Sequence, residues 1–166
     1  MKQIAFVTFF LIVVSKSMSG QSVQHEINEQ VWKPFIAAFN ELDSDGFLAI
    51  HSQDLVRAAR DGNEILNWTQ YLEQQRKGDK RTRDDGSKRT IELRFTERIA
   101  NTTQAIDVGV YKTMNISKDG TTQSFFGRFH VVMRKENGTW KILVDTDSSE
   151  GRTISEKDFL AAKPMR

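Results

Sequence analysis

The residues of this chain able to do chemistry fall on alternating runs in its second half. In the run Gln104 to Met114, Asp107, Gly109 and Tyr111 share one strand face, and Ile106, Val108 and Val110 share the other. A carboxylate set in an apolar wall has a raised pKa and can exchange a proton near neutral pH; a phenol beside it can donate a hydrogen bond to a developing oxyanion. If that face lines a pocket, Asp107 is the candidate base and Tyr111 the candidate donor. If it meets water instead, Asp107 is solvated and Tyr111 merely packs. A second pairing, His130 with Asp145, has the composition of an imidazole base oriented by a carboxylate.

The register that brings His130 to Asp145 follows from Asn137-Gly138, which lies between two alternating runs and predicts a two-residue type I′ hairpin over Gly127 to Ser148. In that register Glu136 faces Thr139, Lys135 faces Trp140, Met133 faces Ile142, Val131 faces Val144, Phe129 faces Thr146, His130 faces Asp145 and Arg128 faces Asp147. Phe129, Val131, Met133, Trp140, Ile142 and Val144 make the more apolar face, which should point inward. His130-Asp145 and Arg128-Asp147 are then cross-strand pairs on the outer face, each worth ~0.2–1 kcal/mol.

Other chemistries lack their residues. There is no cysteine, and the three histidines, His25, His51 and His130, are far apart without ligand spacing, so no metal site is expected. Asp43-Ser44-Asp45-Gly46 has its glycine too early for a calcium loop and no closing glutamate. Neither a glycine-rich phosphate loop nor a nucleophile elbow is present, and no cofactor is expected. What the chain does offer is aromatic surface. Trp32, Phe35, Phe39, Trp68 and Phe129, with Met133, Trp140 and Ile142 from the inner face of the hairpin, are the candidate lining of a pocket for a flat apolar or amphipathic ligand.

The elements that must position these residues read as helices first and strands afterwards. Ile27, Val31, Phe35, Ala38, Phe39 and Leu42 form one stripe of a helix over Gln24 to Leu42, kinked or restarted at Pro34. Asp43 to Gly46 stops it, and Phe47 to Ile50 reads as a short helical turn. Leu55 to Arg60 is a short strand, and Asp61-Gly62-Asn63 caps a second helix, Glu64 to Gln75. Arg76 to Arg89, without an apolar residue, reads as a solvated loop. Strands follow at Thr90 to Ile99, Gln104 to Met114, Gln123 to Lys135 and Trp140 to Asp147, and Ser155 with Asp158 caps a short, loosely attached C-terminal helix. This is an α+β arrangement, a layer of N-terminal helices on a curved antiparallel sheet.

Residues 1–19 have the layout of a signal peptide: Lys2, an eleven-residue apolar run from Ile4 to Val14, then small residues at Ser17 and Ser19. The run is short of the ~20 residues that span a bilayer, so a secreted or periplasmic product with no membrane contact after removal is expected. Without the leader 22 basic and 22 acidic residues remain, a balance that argues against a nucleic-acid partner. Residues 20–151 then form one domain and 152–166 a tail. Asn67, Asn101, Asn115 and Asn137 each begin an Asn-x-Ser/Thr triplet, which reads either as a glycosylation site or as chance in a Thr-rich sheet.

Several of these residues together resemble a known group. The helix with Trp32, Phe35 and Phe39, the strand ending in Asp61-Gly62, Gly109-x-Tyr111, Gly127-Arg128-Phe129, Arg134-Lys135 and Gly138-x-Trp140-Lys141-Ile142 with Asp145 look like the nuclear transport factor 2-like superfamily, and within it the SnoaL-like proteins. The resemblance covers Gln24 to Ser149. It implies a cone-shaped roll with a pocket at the open end, His51 near its mouth, and a homodimer formed through the outer sheet face. Members of the superfamily range from isomerases, cyclases and dehydratases to binding and assembly domains. The function expected is therefore small-molecule binding, with cofactor-free isomerase, cyclase or dehydratase chemistry at Asp107 and Tyr111, or protein assembly, as alternatives. This chain departs from the pattern at Met133, where relatives often carry an aromatic, and in its long charged segment, residues 76–89.

Overall fold

The computed structural model describes residues 20–165. The expected leader lies outside the described residues. Among them no helix is long and apolar enough to cross a membrane.

The N-terminal stripe forms a continuous helical run: α1 (Gly20–Ile27), a π turn (Asn28–Trp32) and α2 (Lys33–Glu41). Pro34 explains the π turn. Its ring cannot accept the carbonyl of an ideal turn four residues earlier, so the helix widens just before it and the Lys33 N–H reaches back five residues to the Asn28 carbonyl. Leu42 ends α2 in the left-handed region (φ 60°), and the Asp43 carboxylate accepts from the Gly46 N–H at 3.0 Å to start α3 (Ser44–Ala49).

A seven-stranded sheet wraps this helical layer. Its strands are β1 (His51–Ala59), β2 (Glu64–Leu66), β3 (Lys88–Ala100), β4 (Gln104–Ile116), β5 (Thr122–Glu136), β6 (Thr139–Ser148) and β7 (Lys163–Pro164), in the order β2-β1-β6-β5-β4-β3-β7. Every pairing is antiparallel except β1 with β6. The sheet is strongly curved and unclosed, so the α+β cone expected from the sequence is the architecture observed. Helix, cone interior and inner sheet face share one core, with Ile27, Val31, Trp32, Leu48, Met133, Trp140 and Ile142 at most 1% exposed.

Three local expectations are corrected. Glu64 to Leu66 is a strand paired with Arg57 to Ala59, and the second helix, α4 (Trp68–Asp84), begins four residues later than expected, capped reciprocally by Asn67 and Gln70. The segment read as a solvated loop is largely the continuation of α4. Its helical face is polar but buried: Asp79, 0% exposed, accepts from Ser44 Oγ and from Arg89, both at 2.5 Å. A stripe search for apolar residues cannot see a helix that docks through a carboxylate. Finally, α5 (Glu156–Ala161), capped by Ser155 and Asp158 as expected, is not loose. Phe159 is buried with Val110, Ile154 and Ala162 on the convex sheet face, and β7 pairs with Arg94 and Phe95.

Candidate functional site

The hairpin register holds from the turn to Met133↔Ile142 and then slips. Asn137 and Gly138 take positive φ (49° and 85°) as the type I′ turn requires, and Glu136↔Thr139 and Lys135↔Trp140 pair as expected. Beyond Met133, Leu143 is inserted as a β-bulge, so that Val132 faces Val144, Val131 faces Asp145 and Phe129 faces Asp147. One extra residue turns every later side chain to the opposite face. Asp145 and Asp147, expected outside, therefore point into the cone. His130 stays outside and exposed, opposite Thr146, so the expected His130-Asp145 pair does not form.

The inward carboxylates meet a cation delivered by β1. Parallel pairing sets Arg57 beside Asp145, and the guanidinium binds Asp147 Oδ1 at 2.8 Å, donates to the main-chain oxygens of Asp145 and Ala58, and lies 3.8 Å from Asp145 Oδ2. The Tyr71 hydroxyl, placed by the first turn of α4, lies 3.4 Å from Asp145 Oδ2, and Arg57 sits over its ring at 5.2 Å. His51 stands behind Asp145, with Nε2 at 3.7 Å from Oδ2 and Nδ1 at 2.9 Å from the Phe47 carbonyl oxygen. A carbonyl can only accept, so Nδ1 carries the hydrogen of that bond and Nε2 is the nitrogen that faces the carboxylate.

These contacts are shared unequally. Burial opposes ionisation of Asp145, but Arg57, His51 and Tyr71 all converge on it and hold its pKa below the ordinary carboxylate value. Asp147 has burial raising its pKa, Arg57 only partly compensating, and Asp145 as a like charge, so it titrates above that value. Burial and the neighbouring carboxylates push the Tyr71 and Tyr111 phenols up, so both remain protonated donors.

The cluster borders a cavity of about 700 Å³. Trp32, Phe35, Phe47, Phe129, Leu93 and Val131 form its apolar wall, Asp145, Asp147, Tyr71 and Tyr111 its polar one, and Ser149, Arg152 and Ile154 its rim. Two close approaches shape it. A side-chain carbon at Gly127 would fall 2.3 Å from the Tyr111 hydroxyl, and one at Gly109 would fall 2.5 Å from the Phe129 ring and 2.1 Å from the Arg94 carbonyl, so each aromatic lies across a glycine of the neighbouring strand.

Of the residues singled out in the sequence, Trp32, Phe35, Phe39, Phe129 and Tyr111 line the cavity. Trp68 lies outside the lining, its indole N–H donating to the Leu48 carbonyl at 3.2 Å; Met133, Trp140 and Ile142, all 0% exposed, fill the closed end of the cone. Asp107 does share its strand face with Tyr111, but it is wholly buried and outside the lining. Its Oδ2 accepts from the Trp32 indole at 2.7 Å and from Arg98 at 2.9 Å, the latter brought inward by a bulge at Thr96. The expected pairing of Asp107 with Tyr111 in one site is thus replaced by Tyr111 with Asp145 and Asp147. Sequence reasoning missed Arg57, Phe47 and the inward direction of both aspartates. One signal existed: Ile142-Leu143-Val144 is an unbroken apolar triplet in an otherwise alternating strand, which is how a bulge can announce itself.

No protein-family model and no curated protein matches the sequence. Solved structures do. A nuclear transport factor 2-like superfamily protein from Salmonella enterica is 21% identical, with 78% of this chain and 92% of that one aligned at a TM-score of 0.60. The chain has the nuclear transport factor 2-like fold. A protein of this fold and unknown function from Shewanella oneidensis (18% identity, 76% and 98% covered, TM-score 0.61) is similar. So is one described as having a cystatin-like fold from Novosphingobium aromaticivorans (13% identity, 78% and 86% covered, TM-score 0.63). At these identities the nuclear transport factor 2-like likeness concerns the fold, and the chemistry must come from the residues of this chain.

Proposed function

We propose that this protein binds a small apolar or amphipathic molecule in the open end of its cone. The observation that carries the reading is the cavity itself: about 700 Å³, within the range of ordinary ligand sites, with an aromatic wall facing a small set of polar groups. Native mass spectrometry of the purified chain against steroid-like and polyketide-like molecules tests it. Retention of a ligand, lost when Val131→Trp fills the cavity, is the expected result; no uptake across the panel sinks the reading.

A second reading, cofactor-free acid–base catalysis of an isomerase, cyclase or dehydratase type, is supported by one specific feature. Asp145 and Asp147 are neighbours whose environments push their pKa values in opposite directions, the pattern of an acid–base assignment. Asp147 is the group to donate or accept the proton, Tyr111 the donor to an oxyanion, and Asp107 a structural partner. Turnover abolished by Asp147→Asn and kept by a conservative change at Asp107 is the expected outcome.

The partner proposed is a second copy. Ile99, Ile106, Val132, Val144 and Val56 pair in register as one β-branched row across five strands on the convex face, and Ile99, Ile106 and Val56 are 57%, 36% and 45% exposed. An uncharged row of this kind can meet itself across a two-fold axis. Light scattering should give a dimer that Ile106→Lys dissociates; a monomeric wild type overturns it. Export to the periplasm or the medium is likewise proposed from residues 1–19, and fractionation of expressing cells tests it.

A further inference from the structure

The charges that line the cavity are not balanced by groups that face it. Asp145, Asp147 and Arg152 are its charged lining residues, and Arg152 is exposed at the rim. Arg57 does not line it; its terminal nitrogens are engaged by Asp147 Oδ1 and two main-chain carbonyls. Two carboxylates thus share one guanidinium. All described partners of Asp145 bind Oδ2, and that of Asp147 binds Oδ1, so among the described residues Asp145 Oδ1 and Asp147 Oδ2 accept no hydrogen bond. The two side chains project two residues apart from the same strand face, with 10% and 32% exposure, so the free oxygens are open to the cavity.

We propose that the cavity selects an organic ammonium ion, with the cationic head against Asp145 Oδ1 and Asp147 Oδ2 and an apolar body on the aromatic wall. This deepens the binding reading and rests on it. Two unpartnered acceptors ask for a head that only donates, and an anionic head would face both carboxylates at short range. The wall suits the same head: Trp32, Phe35, Phe47, Tyr71 and Phe129 form a connected set with neighbouring ring centroids 4.7–5.8 Å apart, and the faces of such rings attract cations. The remaining polar lining groups, Gln75, Thr113, Gln123, Ser124 and Ser149, are neutral.

A proton should be exchanged on binding. Asp147 is surrounded by Arg57 from β1, Asp61 from the turn after β1, Tyr71 from α4, Tyr111 from β4, its neighbour Asp145 and Arg152 at the rim, and burial raises its pKa. An ammonium seated beside it displaces that proton. Amine affinity should therefore increase as pH rises through the folded pKa of Asp147, above 3.8, with proton release, whereas an uncharged ligand of the same shape should be indifferent to pH.

Isothermal titration calorimetry of the full chain with phenylbutylamine, phenylbutanol and phenylbutyrate tests this. The amine should bind about tenfold or more tightly than the alcohol, and the carboxylate not at all. Asp147→Asn should reduce amine affinity about tenfold while leaving the alcohol unchanged, and Arg152→Gln should raise it a few-fold by removing the rim cation. Equal affinity for amine and alcohol, or no loss in Asp147→Asn, overturns the ammonium assignment and leaves the binding reading standing. No uptake of any of the three overturns both.

Discussion

Two of the buried carboxylate clusters stand on the inner face of the sheet, and their differences separate structure from chemistry. At the closed end Asp107, 0% exposed, has Arg98 and the Trp32 indole, one cation for one anion, and its carboxylate, the unpartnered Oδ1 included, is sealed off from the cavity lining. Nearer the open end Asp145 and Asp147 share Arg57, with His51 and Tyr71 drawn to Asp145 alone and an oxygen of each open to about 700 Å³ of space. Both arrangements depend on a bulge: at Thr96 for Arg98, and at Leu143 for the two aspartates. Burial alone does not distinguish a site from a structural pin. The number of counter-charges and the presence of a free oxygen facing a cavity do.

The largest expected effect breaks the closed-end cluster. Asp107→Ala leaves the Arg98 guanidinium without its carboxylate and the Trp32 N–H without an acceptor, and should cost about 3–5 kcal/mol in urea unfolding. Asp147→Asn, at a side chain 32% exposed and open to the cavity, should cost about 1 kcal/mol or less at neutral pH. Comparable losses from the two would erase the distinction drawn between the clusters.

Next come the two glycines. Gly109→Ala drives a methyl against the Arg94 carbonyl, which cannot move without the sheet, and should cost about 1–3 kcal/mol. Gly127→Ala instead meets the Tyr111 ring, a side chain rather than backbone; it should lower the melting temperature less and show mainly as altered ligand uptake, because the ring is pushed into the cavity.

The pH dependence sharpens the comparison within the open cluster. The folded pKa of Asp147 lies above its ordinary 3.8, so its contribution to stability is greatest in acid and is lost as pH rises through the folded value. That of Asp145 lies below 3.8, so its contribution is present above 3.8 and is lost as pH falls through the folded value. Relative to wild type, Asp147→Asn should therefore gain stability as pH rises from about 4, and the deficit of Asp145→Asn should close as pH falls below about 4. Parallel stability profiles for the two variants would contradict the assignment. The smallest effect is expected of Tyr71→Phe, which removes one long contact at 3.4 Å and should cost about 0.5 kcal/mol, read as a slight rise in the Asp145 titration.

The fold was legible because its signals are local. Asn137-Gly138 specifies a turn type, the alternating runs specify four long strands, and Ser155 with Asp158 specifies a helix start, all within a few residues of chain. The site was legible only in part. Without a bulge, Trp140, Ile142, Val144 and Thr146 would face inward and Lys141, Leu143, Asp145 and Asp147 outward, which is the better amphipathic pattern. The fold adopts the worse one from Leu143 onward, burying two carboxylates where Arg57 can meet them. Such departures from local preference tend to mark functional surfaces, and this one borders the cavity.

By itself, then, the sequence determined the order of the main helices and long strands, the hairpin turn and its first four registered pairs, the aromatic composition of the interior and the outward place of His130, because each depends on backbone preference or side-chain period over short separations. Only the tertiary structure decided which aspartates face the cavity. Arg57 and Asp145 lie 88 residues apart, and the triplet Ile142-Leu143-Val144, which can announce a bulge, carries no sign of the distant cation that meets the carboxylates it turns inward.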